Sequence, residues 1–175
     1  SYDFSVYHKI ADIGGGQGSF LATILQRYPS LTGLLFEQPS VLKDAQKFLT
    51  QQGVINRCEL VGGDFLETLP TCAEIYVVKN TLNDWDDQNS ITLLNNCRHA
   101  MATTGRLLVI QRILSPSSSL NSEILNLNKF LVRPAGVRIR TEEEIHKLFQ
   151  ATGFQLNRII SSGTELNIVE GVPVN

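Results

Sequence analysis

The sequence predicts an α/β fold on a mainly parallel sheet of seven strands that finishes in an antiparallel pair. Three observations carry this. Strand-like and helix-like patterns alternate along the chain, the order that produces parallel sheets. The first apolar run, His8 to Ile13, leads into glycines at 14, 16 and 18 and then into an amphipathic helical pattern. The last two strand patterns are separated only by Ser161-Ser162-Gly163-Thr164, a turn too short for a crossover, so they pair antiparallel. That closing pair departs from the plain dinucleotide-binding arrangement.

Each element has its own signal. After strand one, Phe20, Leu21, Ile24 and Leu25 form a helical stripe that stops near Tyr28-Pro29. Gly33 to Glu37 reads as strand two. Pro39 suits the first turn of the next helix, and Val41, Leu42, Ala45 and Leu49 continue it. Arg57 to Val61 is a third strand. Glu74 to Lys79 is a fourth, nearly continuously apolar, as a strand buried on both faces should be. Asp86 or Asp87 can cap a helix whose buried face is Leu94, Cys97, Ala100 and Met101. Gly105 ends it, and Arg106 to Ile113 is a fifth strand. A serine-rich loop from Ser115 follows, and then Leu120, Ile124, Leu127 and Leu131 recur at helical spacing. Thr141 and Glu144 form a capping box for a helix with Ile145, Leu148 and Phe149 buried and Gly153 as its stop. Strands at about Phe154–Ile160 and Leu166–Glu170 close the chain.

With 175 residues, 42% hydrophobic and 18% charged, the chain is expected to form one domain over residues 1–175. A net charge of −2 without basic clusters argues against a nucleic-acid or anionic-membrane surface. Three cysteines, Cys58, Cys72 and Cys97, without CxxC spacing predict reduced thiols and a cytoplasmic setting. No apolar run is long enough to span a bilayer, and the opening Ser-Tyr-Asp-Phe does not resemble a signal peptide. The missing initiator Met suggests a domain cut from a longer protein.

The candidate chemistry gathers at strand ends, where an open α/β sheet binds its ligands. Glycines 14, 16 and 18 let the backbone approach a ligand at the following helix N-terminus, although such a loop also serves as a packing turn. Glu37 ends strand two, placed to accept hydrogen bonds from two ribose hydroxyls; its alternative is a solvated acid. Gly63-Asp64-Phe65 offers an acceptor and an aromatic wall for a flat base, or an ordinary turn with a core Phe. Lys79-Asn80-Thr81-Leu82-Asn83-Asp84-Trp85 follows strand four and holds the one tryptophan. The acids at 84, 86 and 87 lack calcium-loop spacing, so no metal is expected. His8, His99 and His146 read as solvated or core residues, and no GxSxG or Cys–His signature is present.

In this order the pieces resemble the class I S-adenosylmethionine-dependent methyltransferases, and among them the plant caffeate-type and bacterial small-molecule O-methyltransferases. The resemblance covers nearly the whole chain. It runs through Tyr2-Asp3-Phe4-Ser5, Asp12 to Gly18, Leu35-Phe36-Glu37-Gln38-Pro39, Gly63-Asp64-Phe65, Tyr76 to Lys79, Leu82 to Asp87, Asn96-Cys97-Arg98, Gly105 to Leu108 and Arg140-Thr141. It implies a Rossmann-like methyltransferase fold and S-adenosylmethionine as cofactor. Asp12, Gly14, Gly16, Glu37, Gln38, Asp64, Phe65, Lys79 and Trp85 would form the cofactor side, and the helix from Leu120 to Val132 would line the acceptor pocket. It further implies a small-molecule acceptor and a helical N-terminal region, absent from this chain, through which homodimers form.

Three positions depart from the family pattern. Asn83 stands where O-methylating relatives carry a His that deprotonates the acceptor, Gln111 stands where an acid usually holds that His, and Ile139 replaces a second acid. Asn83 is thus the candidate catalytic residue, hydrogen-bonding the acceptor oxygen in a methyl transfer to a small aromatic or polyketide-like molecule. The alternatives are a cofactor-binding module or inactive paralogue without efficient transfer, and a nicotinamide-dependent oxidoreductase on the same glycine loop.

Overall fold

A computed structural model describes residues 2–71, 73–114 and 139–174. Strands β1 (Lys9–Ile13), β2 (Thr32–Glu37), β3 (Cys58–Gly62), β4 (Ile75–Lys79), β5 (Arg106–Gln111), β6 (Phe154–Ser161) and β7 (Asn167–Pro173) form one sheet. Its order is β3-β2-β1-β4-β5-β7-β6. The first five strands pair in parallel, and β7 pairs antiparallel with both β5 and β6. The expected seven-stranded α/β sheet with its antiparallel close is therefore what the chain forms.

Alternation along the strands sends side chains to two cores. Ile10, Leu35, Ile75, Val77 and Leu108 pack under helices α1 (Ser19–Arg27) and α2 (Pro39–Gln51), together with Tyr2 and Phe4. Ala11, Ile13, Leu34, Phe36, Tyr76, Val78 and Val109 face the other way, under α3 (Asp87–Ala100) and α4 (Glu142–Ala151). The central strands are apolar on both faces because both faces are covered. Arg57 ties the first layer together: its guanidinium donates to the carbonyls of Leu25 (2.7 Å), Leu31 (2.8 Å) and Tyr28 (3.3 Å). The caps fall as the sequence indicates. Asp86 accepts from the Asn89 N–H at 2.8 Å, and Thr141 and Glu144 close a reciprocal capping box.

Two strand ends differ from expectation by more than one residue. β5 stops at Gln111 rather than Ile113, because Gln111 pairs with Asn167, the first residue of β7. β7 continues past Glu170 to Pro173, since Val172 and Pro173 still find partners in Gln155 and Phe154. Gly171 sits within that extension because Phe149 packs against it; a Cβ there would come within 2.8 Å of the ring. The serine loop from Ser115, the helical repeat from Leu120 to Leu131 and Cys72 lie outside the described residues. Among the described residues, no helix is long and apolar enough to cross a membrane.

The topology fixes where a site can form. From β1 the chain crosses to β2 on one side and later returns to β4 on the other, with Ile13 level with both Phe36 and Val78. The loops leaving β1 and β4 diverge there and leave a crevice at the carboxyl ends of the strands.

Candidate functional site

The crevice opens beside Gly14. The Gly14 N–H donates to the Phe36 carbonyl at 2.8 Å, and the loop then rises into α1, which has no side-chain cap. Its first N–H groups are thus available to a ligand. Gly15 is required for a reason of space. A Cβ on it would lie 2.4 Å from Asp12 Oδ2 and 2.6 Å from Leu35 Cδ1. Gly16 has φ +60, a left-handed backbone, and this turns its N–H onto Glu37 Oε2 at 2.9 Å.

Glu37 is accordingly held rather than solvated. Its other oxygen, Oε1, accepts from the Gln38 N–H at 2.8 Å. Each carboxylate oxygen can take a further donor, so the group is oriented and still able to bind a vicinal pair of hydroxyls. Beneath the loop, Asp12 is 0% exposed; the Leu21 N–H of α1 faces its carboxyl, but neither oxygen is in full hydrogen-bond geometry. Burial pushes its carboxyl up to about 7; Lys79 pulls against this rise, Glu37 adds to it and the Leu21 N–H pulls it down.

The far wall follows β4. Asn80 has φ +59 and donates its N–H to Ile110 at 2.9 Å, which turns the chain away from the sheet. A short 3-10 turn, Leu82–Asp84, then presents Trp85. Trp85 meets Phe65 edge to face, with centroids 5.7 Å apart and planes at 89°. Asn96 of α3 steadies Phe65 by donating Nδ2 to its carbonyl at 2.8 Å.

Between these walls lies a cleft of about 330 Å³. Of the residues the sequence singles out, Gly14, Glu37, Gln38, Phe65, Lys79 and Trp85 line it. Gly16 acts one step back, through Glu37, and Asp12 sits under the loop. Asp64 is exposed and bonds the Leu66 N–H at 2.8 Å, forming the turn that delivers Phe65. Asn80, Thr81 and Asp84, from the stretch after strand four, also line the cleft, though the sequence singles out none of them as a cofactor contact. Asn80 does have a sequence signal, since Asn is the residue after Gly that best tolerates a left-handed backbone.

Asn83, Gln111 and Ile139, the positions expected to depart from the family pattern, are not in the lining of the cleft. Asn83 is 4% exposed and Gln111 and Ile139 are buried. Asn83 Oδ1 and both amide atoms of Gln111 have no hydrogen-bond partner among the described residues. Buried polar atoms without partners are rare and costly, and Asp12 is the other side chain that shares this condition among the described residues. His8, His99 and His146 are exposed, and among the described residues no group of acids, Cys and His could hold a metal ion.

Comparisons with known proteins agree with this geometry. Residues 1–155 match the family model described as O-methyltransferase domain. The phenazine O-methyltransferase of Lysobacter antibioticus is 39% identical over 175 residues, covering 99% of this chain and 51% of that protein. The solved structure of a mitomycin 7-O-methyltransferase superposes with a TM-score of 0.93 at 35% identity, over 99% of this chain and 51% of the other. A methyltransferase of calicheamicin biosynthesis, solved in its SAH-bound form, gives a TM-score of 0.89 at 33% identity, with the same two coverages. The chain thus spans about half the length of the relatives it matches.

Proposed function

The chain belongs to the O-methyltransferase domain family, and from that premise we propose that it binds S-adenosylmethionine and directs its methyl group to a hydroxyl of a small aromatic or polyketide-like molecule. The observation that carries the proposal is the Glu37 carboxylate. It is fixed by the Gly16 and Gln38 N–H groups in a cleft that Phe65 and Trp85 also line. An adenosine unit needs both features: a fixed acid for its ribose diol and an aromatic wall for its base. Lys79 and Gly14 line the same cleft, and α1 starts without a side-chain cap. When bound, S-adenosylmethionine would supply an electrophilic methyl on a sulfonium, whose sulfur leaves as the neutral thioether of S-adenosylhomocysteine.

The residues of this chain then have to orient the acceptor. Asn83 cannot remove a proton near neutral pH, but its amide can hold the acceptor oxygen by a hydrogen bond. A general base contributes about 10²–10⁴-fold, and positioning of reactants can contribute far more. A phenol with a pKa of about 10 is ionised at roughly one part in a thousand at pH 7, so transfer by positioning alone is slow with simple phenols and faster with more acidic hydroxyls. The proposal includes a cytoplasmic homodimer assembled through a helical region outside this chain, in keeping with relatives about twice its length.

A second reading is a cofactor-binding module without efficient transfer. The neutral, buried Asn83 and Gln111 favour it, because they stand where the resemblance implies a base and the acid that holds it. Two measurements separate the cases. Calorimetry is expected to show S-adenosylhomocysteine binding and no heat with NADH; the reverse pattern would end both readings. Asn83→His is then expected to raise transfer to hydroxylated aromatics by about tenfold or more at pH 8. No turnover in either form, with the cofactor still bound, leaves the module.

A further inference from the structure

Arg140 is a fully buried guanidinium, 0% exposed, and it is not on the cleft wall. Taking such a charge out of water is costly unless every donor is satisfied. Here all three nitrogens donate. Nη1 reaches the Leu82 carbonyl at 2.5 Å, and Nη2 reaches the Trp85 carbonyl at 2.9 Å and Ser90 Oγ at 3.1 Å. Asp87 Oδ1 accepts from Nη2 at 2.8 Å and from Nε at 3.1 Å.

The two carbonyls bracket Asn83 and Asp84. The turn that carries them is a single 3-10 turn, which has poorer hydrogen-bond geometry than an α-helix. Its own closing bonds are Asp84 N–H to Thr81 at 3.0 Å and Trp85 N–H to Leu82 at 3.3 Å. The guanidinium adds a bond to each end of that turn and ties both to the first turn of α3. Its own place is fixed from behind. The Arg140 carbonyl accepts the Leu114 N–H at 3.0 Å, Thr141 bridges to Leu114 in parallel, and Thr141 caps α4.

We propose that Arg140 is a positioning residue, a strut between the α4 cap and the Leu82–Trp85 turn that sets where Asn83 and Trp85 stand beside the cleft. Arginine is needed because its planar fork reaches two carbonyls and a carboxylate together, whereas a lysine offers three donors from one point. Arg57 provides the contrast. It also donates to three carbonyls, but those lie at the opposite end of the sheet's first layer, away from the cleft.

The test uses the protein with any tryptophan outside residues 1–175 replaced by Phe, so that Trp85 alone fluoresces. Acrylamide quenching of Trp85 reads the position of the turn with no ligand present. Calorimetry with S-adenosylhomocysteine reads the cleft; this arm alone rests on the cofactor assignment above. Arg140→Lys is expected to raise the quenching constant about twofold and to weaken S-adenosylhomocysteine about fivefold or more, since small misplacements at a site are expensive. Asp87→Asn removes the carboxylate charge that orients the guanidinium fork and is expected to move both readouts less, in the same direction. Arg57→Lys is expected to lower the melting temperature and leave both readouts at the wild-type value. Wild-type quenching and affinity in a folded Arg140→Lys protein would overturn the proposal, and so would equal changes in Arg57→Lys. If Arg140→Lys does not fold, unchanged quenching in Asp87→Asn overturns it. A wild-type protein that binds no S-adenosylhomocysteine refutes the cofactor assignment, and the quenching arm still judges Arg140.

Discussion

Replacing Glu37 by Gln removes one charge and almost no volume, so packing is kept and the consequence falls on hydrogen bonds and charge. Both carboxylate oxygens accept a backbone N–H, from Gly16 at 2.9 Å and from Gln38 at 2.8 Å. A glutamine has one oxygen and one NH₂. Whichever way its amide is turned, the NH₂ faces a backbone donor, and one of the two bonds becomes a repulsion. A hydrogen bond to a charged group contributes about 1.5–3 kcal/mol. At about 1.4 kcal/mol per tenfold, Glu37→Gln is expected to weaken S-adenosylhomocysteine by roughly 10- to 150-fold. Calorimetric titration of the wild-type and variant proteins measures this directly, and circular dichroism checks that the sheet is kept. An affinity within about threefold of wild type would refute the view that the acid orients the ligand.

Two further predictions concern the floor of the loop. Gly15→Ala forces a methyl to 2.4 Å from the Asp12 carboxylate and 2.6 Å from Leu35; overpacking of this kind costs about 1–3 kcal/mol. The melting temperature is expected to fall by about 2–12 °C, and an unchanged value would show that the loop has slack. Asp12, with its carboxyl raised to about 7 by burial, keeps a proton that the unfolded chain has already lost above its ordinary value of 3.8. Stability from this group is therefore lost as pH rises through that window and is level above it. Asp12→Asn is expected to remove this slope, so melting curves of the two proteins should separate between about pH 5 and about pH 8; parallel curves would contradict the buried, proton-holding carboxyl.

Much of this site can be read from the sequence because its signals are local. The nearly unbroken apolar run of β4 announces a strand covered on both faces, and Thr141 with Glu144 announces a helix start three residues wide. Glu37 is legible as a strand-end acid, yet its bond to Gly16 depends on the register that sets Ile13 beside Phe36. Arg140 is legible only as half of the Arg140-Thr141 pair, and its contacts carry no local signal. Its partners Leu82 and Trp85 lie 58 and 55 residues away, and only the docking of α4 against α3 brings them within reach. Thr81 gains its place in the same way, by standing across from Gly14. Gly15 reads as one glycine among several until the buried carboxyl under it is seen. The strand ends at Gln111 and Pro173 were set by how far the β5, β6 and β7 partners extend, which is a property of pairs and not of either segment.

The placement of β7 between β5 and β6 has a consequence for how the protein is made. β6 runs in the same direction as β5, and the two do not touch in the sheet. On a ribosome, which emits the chain in order, β6 emerges with no neighbour to join. The strand that connects it to the rest is synthesised after it and must enter the middle of a half-built sheet, not extend its edge. Until then β5 carries an open flank, the exposed pairing surface that invites association with other chains. The emergence of β7 therefore closes the sheet, and losing residues 167–173 would cost the molecule an interior seam that bonds to both sides, where losing an edge strand would cost only one.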